Sequence, residues 1–333
     1  MSDPHETTHE LAELAVVRRS GVIESRHFGS LVALYSDGSI AVSLGNPDAA
    51  ILPRSTVKPL QALACLAAGA PLADQELAIA AGSHTGEDEH VRLVRELLTR
   101  AGVDEGALAC PPDWPENFET RERMIRAGET TSRVRMNCSG KHAAMILASA
   151  TNGWDLATYL DPQHPLQRHI RDTMTALTGI PVEHDAVDGC GAPLFSTTVR
   201  GLARAFQRLV LAEGGTPEFR VAKAMREFPF YVGGTAHANS RTMTLVPGAL
   251  AKGGAEGVIG VAASTGESVA MKIIDGNPRA TTMIALEALG ALGVDISGAG
   301  ELLTLPVLGG GVSVGEIVAG ADLEQALGMV VSA

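Results

Sequence analysis

The sequence predicts an α+β fold: one antiparallel sheet drawn from both chain ends, with the helical middle as a lobe against it. Three observations predict it. Two alternating runs flank Asp37-Gly38 within SLVALYSDGSIAVSLG, residues 30–45, the pattern of a β-hairpin with a tight turn. Two β-rich runs return late, at residues 257–264 and 268–275, joined by a turn at Gly266, and residues 312–319 read as a last strand. Between these ends, apolar residues recur at i, i+3 and i+4, the spacing of helices with one buried face.

Taken in order, residues 1–13 are polar and lack the apolar stretch of a secretory signal, so they are expected to be a disordered tail. Helical spacing covers residues 56–70, 77–80, 87–101, 141–151, 167–177 and 197–213. Residues 111–135 have the least regular pattern and read as a surface loop or lid. The turn Asp275-Gly276-Asn277-Pro278 then leads into a helix over 279–292. Residues 14–333 thus read as one unit, its sheet lobe from about 14–50 and 235–333 and its helical lobe from about 55–230. A site at the junction of the lobes is expected.

At 333 residues the chain can bury a large core, and with 4% aromatics that core is built from small aliphatic side chains. The formal net charge of −12 repels phosphate backbones, which argues against nucleic acid as a partner. The longest apolar stretches, such as residues 60–70, are too short to cross a bilayer. A soluble, cytoplasmic protein is expected, with its four cysteines as thiols. Cys65, in the apolar run LQALACLAAG, reads as a core residue.

The segment RSTVKP, residues 54–59, carries the first chemistry. Pro59 is tolerated only in a first helical turn, so a helix should begin near Ser55. There, free backbone N–H groups and the helix dipole favour developing negative charge. Spacing of i, i+3 puts the Lys58 amine on the face of the Ser55 hydroxyl. A serine hydroxyl needs a neighbouring base, and a neutral lysine can be one. The plain alternative is a capping serine followed by a solvated lysine. Ser83, in GSHTGE, reads either as a cap for the next helix or as a hydroxyl relay toward a leaving group. Lys252 in AKGG reads either as a loop residue or as part of a strand edge left bare for substrate. The order S-x-x-K, then Ser, then K-G is that of penicillin-binding proteins and β-lactamases.

NCSGKH (137–142) and DGCGAP (188–193) each place a thiol in a Gly-rich turn. Cys138 and Cys190 are either two separate structural thiols or ligands of one metal, with Lys141 or His142 as a third donor. Asp188 would then anchor a ligand or hold a substrate ammonium group.

Together the blocks SGVIESRH from Ser20, RSTVKPLQ from Arg54, SHTGE from Ser83, NCSGKHAAM from Asn137, DGCGAP from Asp188, AKGGAEGV from Ala251 and AMKIIDG from Ala270 resemble the asparaginase II-like family, the zinc-associated Ser-Lys type of the rhizobial inducible asparaginases. The blocks span nearly the whole chain in the family's order. The resemblance implies a fold similar to serine β-lactamases and penicillin-binding proteins, and hydrolysis of L-asparagine to aspartate and ammonia. It implies two Ser-Lys tandems, Ser55 with Lys58 and Ser83 with Lys252. It also implies zinc held by Cys138, Lys141 and Cys190, a pocket lined by Arg54, His84, His142 and Asp188, and a homodimer. Lys272 stands in another matching block as a second candidate for Lys252. Gly253 departs from the family's K-T-G, and LGGGVSVGE near the C-terminus departs from it too. The rival expectations are an amidase acting on glutamine or another small amide, a silent zinc or amino-acid binder on the same scaffold, and a thiol nucleophile at Cys138 or Cys190.

Overall fold

The computed structural model of the protein describes residues 11–332. Residues 1–10, most of the expected tail, lie outside the described residues. Ala12 and Glu13, expected to belong to it, instead open a strand. The backbone N–H of Glu13 donates to Asp322 Oδ2 at 2.7 Å, its carboxylate pairs with Arg26, and Ala12 is buried. These contacts hold the chain where the sequence alone suggests a free end.

The strands β1 (Ala12–Arg19), β2 (Val22–Leu34), β3 (Ile40–Leu44) and β4 (Ala50–Ile51) come first. A 3-10 turn, Arg54–Val57, leads into α1 (Lys58–Ala67), α2 (Asp74–Ala80), α3 (Asp88–Arg100), α4 (Phe118–Arg126), α5 (Ser139–Thr151) and α6 (Pro165–Thr178). The short strands β5 (Asp185–Val187), β6 (Pro193–Phe195) and β7 (Thr197–Thr198) precede α7 (Val199–Val210), α8 (Pro217–Glu227), α9 (Pro229–Val232) and α10 (Ala238–Leu245). Strands β8 (Leu250–Gly254), β9 (Val258–Ala262) and β10 (Ser268–Ile273) follow. Last come α11 (Thr281–Ala291), α12 (Gly300–Leu303), β11 (Leu305–Gly309), β12 (Val312–Ala319) and α13 (Ala321–Val331).

The chain divides into two compact units. One runs through Thr56, takes in Thr197–Leu211, and resumes at Leu245. Its eight-stranded sheet has the order β11-β12-β1-β2-β10-β9-β8, with β3 also on β2, and every pairing is antiparallel. Strands from both ends meet as expected: Val17 pairs with Ile317, and Val32 with Ala270. All five residues of β9 are buried, so this strand is covered on both faces. Helix α7 belongs here, a correction to the helical lobe expected over 55–230. Its Gln207 Nε2 donates to Tyr35 O and Gly266 O, each at 2.7 Å, and so straps two hairpin turns of the sheet. The Lys252 segment, read as lying before the first late strand, is itself a strand, β8, at one edge.

The second unit, Val57–Ser196 with Ala212–Thr244, is mostly helical. At its centre, α5 buries every residue from Ser139 to Ser149. Gly140 lets α5 pass close to α2, since a Cβ there would lie 2.7 Å from Ile79 Cγ1 and from Ile79 O. The irregular stretch 111–135 contains α4, which Asn117 caps by accepting from Thr120 N at 2.8 Å. The cap sits among charged residues with little apolar spacing, so the helix was not legible. No helix among the described residues is long and apolar enough to cross a membrane.

Candidate active site

In the helical unit the loop 82–86, between α2 and α3, is clamped by backbone bonds. Ser83 N donates to Val232 O at 2.8 Å, His84 N to Asn137 O at 3.1 Å and Thr85 N to Gly233 O at 2.7 Å. Helix α3 begins at Asp88, where Glu87 N donates to His90 Nδ1 at 3.1 Å, so Ser83 stands outside the cap region. Its hydroxyl instead faces Lys58, whose fully buried Nζ lies 2.8 Å from Ser83 Oγ, 2.7 Å from Gly82 O and 3.5 Å from Asn137 O. The Lys58 amine is also hydrogen-bonded to the Cys138 thiol, so the serine loop and the start of α5 share this one group.

Lys58 is the first residue of α1, and Ser55 sits in the 3-10 turn before it. The α-helix therefore starts later than the position of Pro59 suggested, because the tighter turn comes first.

His84, expected to line a pocket, is a buried brace. Its Nδ1 accepts from Gly86 N at 3.2 Å, and Nε2 lies 2.9 Å from Ser139 Oγ, which donates to Val134 O at 2.8 Å. Burial, then the charges of His90, Lys58 and Arg135, hold its pKa well below the ordinary histidine value. His142 is also fully buried and held well below that value, by burial first and then by Lys141 and Lys58.

The two Gly-rich turns meet. Strands β5 and β6 form a hairpin whose turn is closed by Gly191 N donating to Asp188 O at 2.8 Å, with Gly191 at φ +85°. This turn brings Cys190 to the start of α5, where Lys141 Nζ donates to Cys190 Sγ at 3.1 Å. Cys138 and Cys190 are hydrogen-bonded to each other, and Asp188 Oδ2 lies 3.8 Å from Cys190 Sγ. The bond from Cys190 draws Cys138 well below the ordinary thiol pKa and drives Cys190 up. Burial works against the Lys141 ammonium, but the charges of Cys190, Cys138 and Asp188 outweigh it and raise its pKa. Among the described residues no three His, Cys, Asp or Glu side chains could hold a metal together. The donor set is two thiols and one amine, which suits zinc by ligand chemistry once the amine loses its proton. Cys65 is in the core as expected, with burial raising its pKa to about 12.

In the sheet unit, Ser55 is partly exposed in its 3-10 turn, after Arg54 at φ +52°. A non-glycine residue in the left-handed region is a strained conformation that its surroundings must enforce. Thr56 Oγ1 donates to Val258 O at 3.4 Å, and β8 passes close by: a Cβ on Gly254 would lie 2.6 Å from Thr56 Oγ1 and 3.0 Å from Pro53 O. The bare end of AKGG thus seats the serine turn. Gly254→Ala should cost roughly 1–3 kcal/mol through overpacking and lower turnover with it. Urea unfolding alongside an activity assay checks this, and unchanged stability would mean the turn is free to shift.

Lys252 is fully buried in β8, with its amine on Gly253 O. Lys272, half-buried in β10, donates to Glu256 O at 2.7 Å, and burial pulls its pKa down. It lines a cavity of about 490 Å³ with Arg54, Glu256, Ser30 and Ile51. Arg54 Nη1 is 3.8 Å from Glu256 Oε1. Glu256 stands in the AKGGAEGV block without a role of its own there, and Tyr159, on the ring of His142, lies in no block at all. Only their partners in space mark them.

Residues 15–319 match the family model described as L-asparaginase II. No curated protein matches the chain in sequence. Among solved structures, a protein of Bacteroides dorei DSM 17855 assigned to the β-lactamases is similar at 11% identity and TM-score 0.45, over 79% of this chain and 93% of that one. A β-lactamase from Mycobacterium bovis is similar at 13% identity and TM-score 0.44, over 79% and 94%. EstCE1, a hydrolase with promiscuous acyltransferase activity, is similar at 11% identity and TM-score 0.39, over 85% and 94%. Likenesses this distant add no weight to the fold, which rests on the strands and helices themselves.

Proposed function

Because the chain belongs to the L-asparaginase II family, we propose that it is an L-asparaginase working through serine–lysine acyl transfer. The observation that carries this reading is the fully buried Lys58 amine at 2.8 Å from the Ser83 hydroxyl. Ser55 Oγ attacks the side-chain amide carbon while Lys58 takes the hydroxyl proton. The C–N bond breaks as the departing nitrogen gains a proton through Ser83 and Lys252, and ammonia leaves. Water then cleaves the acyl-serine ester, releasing aspartate and restoring the Ser55 hydroxyl. Asp188 and Arg54 would hold the substrate's ammonium and carboxylate groups.

Cys138, Lys141 and Cys190 would hold zinc, which when bound supplies a Lewis-acidic centre with one position left over. Cys138→Ala should retain less than about a tenth of the metal of the parent after dialysis. Elemental analysis reads this, and full metal content in the variant would remove Cys138 from the ligand set.

Ammonia release from a panel of asparagine, glutamine and other small amides tests the whole reading. Preference for another amide would move the substrate assignment. Aspartate binding without any ammonia release would favour the silent binder.

A further inference from the structure

Several buried polar atoms among the described residues lack a partner, Gln167 Oε1 and Thr242 Oγ1 among them in the helical unit, and the one carried by an imidazole is Nε2 of His142. Its sister atom Nδ1 lies 2.7 Å from Tyr159 Oη, with the two rings edge to face at 89°. Tyr159 Oη also accepts from Ala109 N at 2.9 Å. The phenol has a single proton to give, and this fixes the arrangement. If the phenol donates to Nδ1, then the amide N–H, the phenol and Nδ1 are all satisfied, and Nε2 must carry the ring proton. If Nδ1 carried the proton instead, both the phenol O–H and the Nε2 lone pair would be buried without partners. The first arrangement leaves one orphan and the second leaves two.

We infer that Tyr159 is a positioning residue that locks His142 as the Nε2–H tautomer, so that the ring offers one N–H donor to an oxygen of the amide substrate, directly or through one water. This rests on the amide-hydrolysis reading above. The surroundings hold Tyr159 firmly enough to do so. It follows a 3-10 turn in which Asp155 accepts from Ala157 N at 3.0 Å and Thr158 Oγ1 at 2.8 Å. Its own carbonyl accepts from Gln167 Nε2 at 2.8 Å. His142 stands on the rigid core of α5, one residue after Lys141. A neutral imidazole held in one tautomer can polarise a carbonyl without giving up a proton, and an unpaired buried donor is the form in which such a group waits for its acceptor.

The test is nitrogen NMR on the full-length protein labelled with ¹⁵N-histidine, in which His142→Gln identifies the His142 signals. The expected pattern is a protonated Nε2 and a bare Nδ1, with Nε2 shifting on addition of L-aspartate. Tyr159→Phe should abolish that single pattern and lower kcat/KM by roughly 10–100-fold, as for other partners that orient a functional histidine. Gln167→Leu, which loosens the Tyr159 backbone but spares its hydroxyl, should lower stability and leave the tautomer intact. A protonated Nδ1 in the parent, a metal-shifted Nε2, or an Nε2 indifferent to L-aspartate would each overturn the inference. The tautomer is read without turnover: no ammonia release with Nε2 protonated would sink the amidase reading alone, and ammonia release with Nδ1 protonated would sink only the inference.

Discussion

Ser55→Ala should leave a folded protein whose ammonia release falls by about 10⁴-fold or more, the scale on which loss of a serine nucleophile registers in other hydrolases. The stability side of this expectation follows from the site. Ser55 is partly exposed, and its turn is held by Thr56 and seated against Gly254. Surface-like substitutions of this kind shift stability by within roughly 0.5 kcal/mol. The activity side follows because an acyl-enzyme needs an oxygen at that position, and alanine supplies none. Thermal unfolding and an ammonia assay on one sample separate the two. Turnover that survives the change would remove Ser55 from the mechanism.

Lys58→Met should fail in both respects. The thioether keeps the length of the stem in a site with no solvent access, but removes the amine from Gly82 O and Ser83 Oγ. Leaving those buried groups short of a partner should cost about 1–3 kcal/mol. Turnover should fall by at least 10²-fold to 10⁴-fold, the usual contribution of a positioned base. Urea unfolding reads the first and initial rates the second. A variant with parental rates would show that the amine is only structural. Lys58→Arg should not rescue, because a guanidinium is too large for the site and does not give up its proton.

Much of the sheet was legible because alternation and turn residues are local signals. The hairpin at Asp37-Gly38 and the runs that became β9, β10 and β12 all lie where period-two spacing put them. Strand β1 was hidden, since AELAVVRR alternates weakly and its partners sit at the far end of the chain. Strand β11 and helix α13 were missed for a similar reason, their order depending on packing that no short window reveals. At the site, the motif residues were readable as residue types but not as pairs. No spacing rule tells that Lys58 meets Ser83, or that Cys190 reaches Cys138 and Lys141 from a distant hairpin. His84 has the look of a functional histidine by sequence, yet both of its ring nitrogens serve the scaffold.

Because the backbone passes between its two units four times, after Thr56, Ser196, Leu211 and Thr244, neither can be cut out as one continuous piece. During synthesis, β1 emerges before its neighbour β12 and cannot gain it until every element between them has been made. Until then it leaves the ribosome with one open edge, where a nascent chain is most prone to join the wrong partner. Truncations from the C-terminal end should therefore yield insoluble material rather than a smaller working enzyme.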